Sequence, residues 1–258
     1  MKFFRPQLKP LFLILIPSLL WFGAVSSRSL IIHPRCKAQP QDCSRSSVIK
    51  IDQLSISFEN TLADHYSYLS QNLSGALGLL VPTAYSLSVF IARGLPLAPT
   101  LAAITTDWIT LAQTMTWNGF VTEISHLLSQ RPRPFVYTNP KDRGADPAHY
   151  TSFYSGHTSF SAATQIALLL ILWKRKAPLP LLFFFLALGE TLVFTTAYCR
   201  ILAGRHFFTD VMTGALAGAL VAWVVFTRSQ LSNTGKAPLT QKNSDCHTLA
   251  SGFQEYHE

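Results

Sequence analysis

The sequence predicts an all-α, polytopic membrane protein: a bundle of six transmembrane helices. Hydrophobic residues make up 48% of the 258-residue chain and charged residues only 13%, with a mean hydropathy of +0.24. That balance is too apolar for a soluble domain of this size. Six apolar runs of helical length alternate with polar connections. The net charge of +8 sits on residues that flank those runs or gather at their ends. No basic stripe with interleaved aromatics is present, which argues against nucleic acid as a partner.

Residues 1–27 form the first element. Lys2, Arg5 and Lys9 precede the uncharged run Leu11 to Ser27. The run reads as a transmembrane helix or signal anchor, in preference to a cleaved signal peptide with a small-residue exit at Ala24-Val25-Ser26, because it is long for a signal. Residues 28–71 follow as an extracytoplasmic segment. Leu54, Ile56, Phe58, Leu62 and Tyr66 are spaced for an amphipathic helix over Asp52 to Tyr68, lying in the membrane interface. Cys36 and Cys43 either close a small disulfide loop, if this segment is outside the cytoplasm, or remain free thiols. Asn72-Leu73-Ser74 is a glycosylation triplet of a kind common by chance.

Residues 72–226 hold the remaining spans. The second, Asn72 to Ala92, contains Gly75, Gly78 and Pro82, which suit close helix contacts or a kink. The third, Pro96 to Leu128, has Asp107, Gln113, Asn118, Glu123 and His126 inside it. Polar groups at membrane depth face a bundle interior or a site. A polar loop leads to the fourth span, Thr158 to Trp173, closed by Lys174-Arg175-Lys176. Pro178 to Ala197 and Phe207 to Phe226 are the fifth and sixth. The tail, 227–258, is polar and expected to be poorly ordered. Lys2, Arg5, Lys9, Arg93, Lys174-Arg175-Lys176 and Arg228 all fall on one side of this topology, which the positive-inside rule makes cytoplasmic. The basic residues on the other side lie in a longer loop beside Asp42, Asp52, Glu59 and Asp64, or in three polar clusters at span ends.

These clusters are His126 to Pro134, Ser155 to His157, and Arg200 to Asp210. Alternating spans bring all three to the extracytoplasmic face. Their inventory suits phosphate. Arg200 and Arg205 supply cationic forks suited to its oxygens, and Arg131 and Arg133 add further positive charge from the first cluster. Ser155 offers a hydroxyl, and Gly156 allows close backbone approach at a helix start, where anions are favoured. If the stretch after Arg205 is helical, Asp210 lies one turn from His206 and can accept the proton of one ring nitrogen, freeing the other as a nucleophile. His157 is then the proton donor to the leaving oxygen. The arginines supply the positive charge, so neither a metal nor a cofactor is required.

The three clusters resemble the motifs of the type 2 phosphatidic acid phosphatase (PAP2) superfamily, which includes vanadium-dependent haloperoxidases. Those motifs are Lys-x6-Arg-Pro, Pro-Ser-Gly-His and Ser-Arg-x5-His-x3-Asp. Here they read His126, six residues, Arg133-Pro134; then Tyr154-Ser155-Gly156-His157; then Cys199-Arg200, five residues, His206, three residues, Asp210. Spacing and order hold over roughly residues 70–226. The resemblance implies a six-helix fold of this type and an integral membrane lipid phosphatase. His206, His157 and Asp210 would be catalytic, and Arg133, Arg200, Ser155, Gly156, His126 and Arg131 would bind phosphate. Cys199 and Tyr154 replace flanking residues. His126 stands where the family has a phosphate-binding lysine. Glu123, one turn earlier, is placed to hold His126 protonated, so that substrate binding would weaken as pH rises.

The expected reaction removes a terminal phosphate from a lipid phosphomonoester or diphosphate through a phosphohistidine. The partners are the lipid phosphate and the bilayer that delivers it. The compact chain and short loops suit a bacterial inner membrane with the site facing the periplasm. One rival is phosphate transfer to another lipid, separable by its products. A second is a non-catalytic lipid-phosphate binder or transporter, which His206→Ala would separate. Motifs at span ends argue against haloperoxidase chemistry.

Overall fold

The computed structural model describes residues 8–234, all of them in helices, turns and irregular connections with no strand among them. Lys2, Arg5, Cys246 and the tail beyond 234 lie outside the described residues. Six long helices follow one another: α1 (Leu8–Ser26), α2 (Thr61–Arg93), α3 (Leu97–Ser129), α4 (Gly156–Lys174), α5 (Leu179–Leu202) and α6 (Phe208–Thr234). Contacts divide the chain into one unit up to Phe226 and another from Thr227, and all three polar clusters belong to the first.

Three helices are long and apolar enough to cross a membrane by length and composition: Thr61–Arg93, Leu179–Leu202 and Phe208–Gln230. A fourth candidate is the pair Phe12–Ser26 and Arg28–Ala38, bent by 46°. Helices α3 and α4 fall short of that test because their inner faces are polar. Asp107, Gln113, Asn118, Thr122, Glu123 and His126 are buried on α3, as are Ser159, Ser161, Thr164 and Gln165 on α4.

Local chemistry sets the helix boundaries. Asn60 caps α2, its side chain accepting from the Ala63 N–H at 3.0 Å. The helix then runs unbroken for 33 residues to Gly94, a left-handed C-cap. The interfacial helix expected over Asp52 to Tyr68 is therefore not a separate element. Residues 50–57 form short helical turns, and 61–68 are the first two turns of α2. No helix breaker lies between Thr61 and Asn72, so the chain has no reason to stop there.

Small residues allow close packing. A Cβ at Gly78 would lie 2.4 Å from Thr164 Cγ2, which sets α2 against α4. A Cβ at Gly218 would lie 2.1 Å from the Ser159 carbonyl oxygen, which sets α6 against α4. Helix α1 packs along α3, with Trp21 over Gly119.

Residues 28–60 and the loop after α3 form a cap over one end of the bundle. Cys36 and Cys43 are joined in a disulfide, and both are buried with Ile32, Phe135, Val136 and Tyr150. The Tyr150 hydroxyl accepts from the Cys36 N–H and donates to the Gly144 carbonyl, both at 2.8 Å. At the other end, Arg175 forks onto Asp107 at 2.7 and 3.0 Å.

Candidate active site

The three sequence clusters meet under the cap. Helix α5 carries Arg200 in its last turn and then reverses at Gly204, whose φ is +65°. Arg205 N–H donates to the Arg200 carbonyl at 3.1 Å and Gly204 N–H to that of Ile201 at 2.9 Å, the paired bonds of a Schellman motif. A Cβ at Gly204 would lie 2.0 Å from the Phe58 carbonyl oxygen, so both the turn and the packing require glycine.

After this reversal, α6 begins only at Phe208. His206 therefore precedes the helix, and the expected shared helical face with Asp210 does not form. The Asp210 carboxylate lies 3.9 Å from His206 Nδ1. Instead, Nδ1 is 2.7 Å from the Ser152 carbonyl oxygen. That oxygen can only accept, so the proton is on Nδ1 and the lone pair is on Nε2. Asp210 acts one layer back. Its Oδ2 accepts from Ser152 Oγ at 2.5 Å and from the Phe207 N–H at 2.9 Å, as a capping residue does in a first helical turn. It holds both the residue that orients His206 and the residue that follows it.

Burial pushes the His206 imidazole well below its usual range, and the positive charges of Arg200 and Arg133 add to the effect. The ring is neutral at pH 7, as a nitrogen nucleophile must be.

Arg133 and Arg200 lie beside it. Arg133 Nη2 donates to Thr151 Oγ1 at 3.0 Å. Burial, with repulsion from Arg200 and Arg205, draws its guanidinium down to about 9, so it stays cationic at neutral pH. Arg200 Nη1 pairs with Asp64 at 2.6 Å, and Arg205 takes the other Asp64 oxygen at 2.8 Å. Three buried nitrogens here have no hydrogen-bond partner: Arg133 Nε, Arg200 Nε and His157 Nε2. The His157 ring stands edge-on to Tyr68 at 4.5 Å and lies in the field of Arg200, His206 and Arg133. The two guanidinium N–H donors carry a desolvation cost that an anion would relieve.

Other expected site residues have different partners. Arg131 forks between Asp210 at 2.6 Å and Asp52 at 2.8 Å. Burial alone would lower its guanidinium, but the two carboxylates outweigh burial and raise it. Arg131 thus braces Asp210 where a phosphate clamp was expected. The Ser155 hydroxyl caps α4, bonding Thr158 Oγ1 at 3.0 Å. Gly156 faces Thr122, whose methyl would be 3.2 Å from a Cβ. The N–H groups of Gly156 and His157 belong to the first turn of α4, where amides have no intrahelical acceptor. His126 donates through Nε2 to the Tyr154 carbonyl at 3.0 Å, and its Nδ1 lies 3.4 Å from Glu123. Glu123 is chiefly held by Arg28, through both of its oxygens. His126 Nδ1 thus lies near Glu123 without a hydrogen bond, and the Nε2 bond ties His126 to the backbone before Ser155.

Four partners of the site are hard to read from sequence. Asp64 carries a faint signal, an acid in the first turn of a long apolar helix. Asp52, which also accepts from the Thr209 N–H and hydroxyl at 3.0 and 2.6 Å, sits in an unpatterned polar segment. Ser152 works partly through its carbonyl, which no residue code reveals. Tyr68 is one aromatic on a helix with many.

A bundle with membrane-length apolar helices that gathers arginines and histidines at one end defines a class: helical membrane proteins with a buried cationic cluster. Within that class, residues 107–233 match the family model described as the PAP2 superfamily, and this region of the chain is a member of that superfamily. Membership carries a phosphatase-type activity, the hydrolysis of a phosphoester. No curated protein and no solved structure matches the chain.

Proposed function

We propose that the protein is an integral membrane lipid phosphatase that removes a terminal phosphate from a lipid phosphomonoester or diphosphate through a phosphohistidine. The observation that carries this reading is the meeting of a neutral His206, with its Nε2 lone pair free, two unpartnered buried guanidinium donors on Arg133 and Arg200, and the unpartnered ring nitrogen of His157. Arg133 and Arg200 hold the phosphate oxygens. His206 Nε2 attacks phosphorus in line, and the bond from phosphorus to the lipid oxygen breaks. His157 gives its proton to that oxygen. His157 then takes a proton from water, whose oxygen attacks the phosphohistidine, releasing inorganic phosphate and restoring His206. Asp210, Ser152 and Arg131 keep His206 in register.

All six long helices cross the bilayer in this reading. The site faces the periplasm of a bacterial inner membrane, with Lys174-Arg175-Lys176 and Arg93 on the cytoplasmic side. The lipid chains stay in the bilayer while the phosphate enters from the interface. Phosphate release by the purified protein from a panel of lipid phosphates in detergent tests the proposal. His206→Ala should lose turnover by about 10³-fold or more while still binding the lipid phosphate. Turnover by His206→Ala equal to that of the unaltered protein would overturn it.

A further inference from the structure

A cleft of about 290 Å³ opens beside the phosphate cluster, between the start of α2, the end of α5 and the loop after α3. It shares Asp64 and Arg205 with that cluster, so the two are continuous. It lies at the ends of two helices that are candidate membrane spans, Thr61–Arg93 and Leu179–Leu202. In the topology proposed above, that is the level of lipid head groups and not of hydrocarbon.

The cleft's charges are arranged as closed pairs. Arg205 is bonded to Asp64 at 2.8 Å, and Arg143 is bonded to both oxygens of Glu59. The formal charges of these four groups cancel. The Phe135 ring lies between the two guanidinium groups, 5.9 Å from that of Arg143 and 5.7 Å from that of Arg205. His149 stands edge-on to the same ring at 4.8 Å.

Three kinds of group can be weighed against this lining. A second phosphate would meet the Glu59 and Asp64 carboxylates and would have to draw both arginines from their partners. An acyl or prenyl chain would strip water from four charged groups and return no hydrogen bond to them. A neutral, hydroxylated group meets neither cost. Its hydroxyls can donate to the carboxylates and accept from the guanidinium groups, with its C–H face against Phe135.

We propose that this cleft binds a neutral polyol or sugar head group, so that the preferred substrate carries its terminal phosphate on such a group and not directly on diacylglycerol or on a second phosphate. This rests on the phosphatase reading above and names the substrate class for that site.

The test compares three lipids with the full-length protein in detergent: phosphatidylglycerol phosphate, phosphatidic acid with the same acyl chains, and a prenyl diphosphate. The expected kcat/KM is at least about tenfold higher for phosphatidylglycerol phosphate than for phosphatidic acid, mainly through KM. Two variants of exposed residues probe the cleft by different means. Glu59→Gln removes a charge, and Thr61→Phe fills space. Each, if it melts like the unaltered protein, should bring the tenfold ratio to within about threefold of one. Because they act differently, misfolding of one leaves the other as the test. A ratio of one or less in the unaltered protein, a ratio moved by neither variant, or a preference for the prenyl diphosphate would each overturn the head-group assignment alone. Phosphate release from every lipid no faster than with His206→Ala would overturn the phosphatase reading, and this assignment with it.

Discussion

His206 is held neutral by burial, and that has a consequence for stability as well as for chemistry. Below about pH 6.5 the unfolded chain takes up a proton at this imidazole, while the folded chain, with its value lowered, does not. Stability due to this group is therefore complete above pH 6.5. It falls as pH drops below that value, by up to ~1.4 kcal/mol per unit until the folded value is reached. His206→Asn has no proton to take up at this position. Melting temperatures at pH 7.5, 6.5 and 5.5 should show a shallower acid decline for the variant than for the unaltered protein. Equal declines would mean that the imidazole is not the group being titrated. The same residue shows what spacing conveys and what it does not. Four residues from His206 to Asp210 suggest one helical turn. The chain places the helix start between them, and a backbone carbonyl does the orienting.

At the level of elements, the turn joining α5 to α6 is the part that shapes the site. Gly204 lets Arg200 end one helix and His206 precede the next within six residues. Gly204→Ala forces a Cβ into both a left-handed backbone and the Phe58 carbonyl. The expected cost is about 2 kcal/mol of stability, with a fall in turnover of at least about tenfold as Arg205 and His206 shift. Thermal melts and phosphate release measured on one preparation check both effects. Unchanged turnover would show that the turn does not position the nucleophile. The continuous α2 follows a related rule. Its first two turns are amphipathic and suggest an interfacial helix, but an element ends only where something stops it, and no residue from Thr61 to Asn72 does so.

Across the whole molecule, the two ends of the bundle are separately braced. Asp107 and Arg175 pair at one end, 19 residues along α3 from His126 by number, or roughly 28 Å along the helix axis. Asp107→Ala leaves Arg175 facing the bundle without its carboxylate. It should destabilise the protein by about 2 kcal/mol, less than for a fully enclosed pair because Arg175 is partly exposed. Turnover per folded molecule should stay the same. A matched loss of kcat would show that the two ends are coupled through α3 and α4. The cap is the other whole-molecule feature. It carries Asp52 to Arg131, and through Arg131 to Asp210, so a segment with no motif of its own reaches the nucleophile's support.

The class of protein and the make-up of the three polar clusters can be read from the sequence. Hydropathy is a bulk property of segments, and motif spacing is a property of the chain, so both survive without coordinates: the helical bundle, the three clusters and their superfamily were all legible. Only the tertiary structure decided which cation serves which anion. Arg131, Arg133 and Arg200 are the same residue type near the same histidine. One braces Asp210 through a cap 79 residues away in sequence, one pairs with Asp64 and one bonds the Thr151 hydroxyl, and the last two each keep an Nε donor free. That allocation depends on distances of a few ångströms between distant segments, because charge pairing and desolvation act through space and not along the chain.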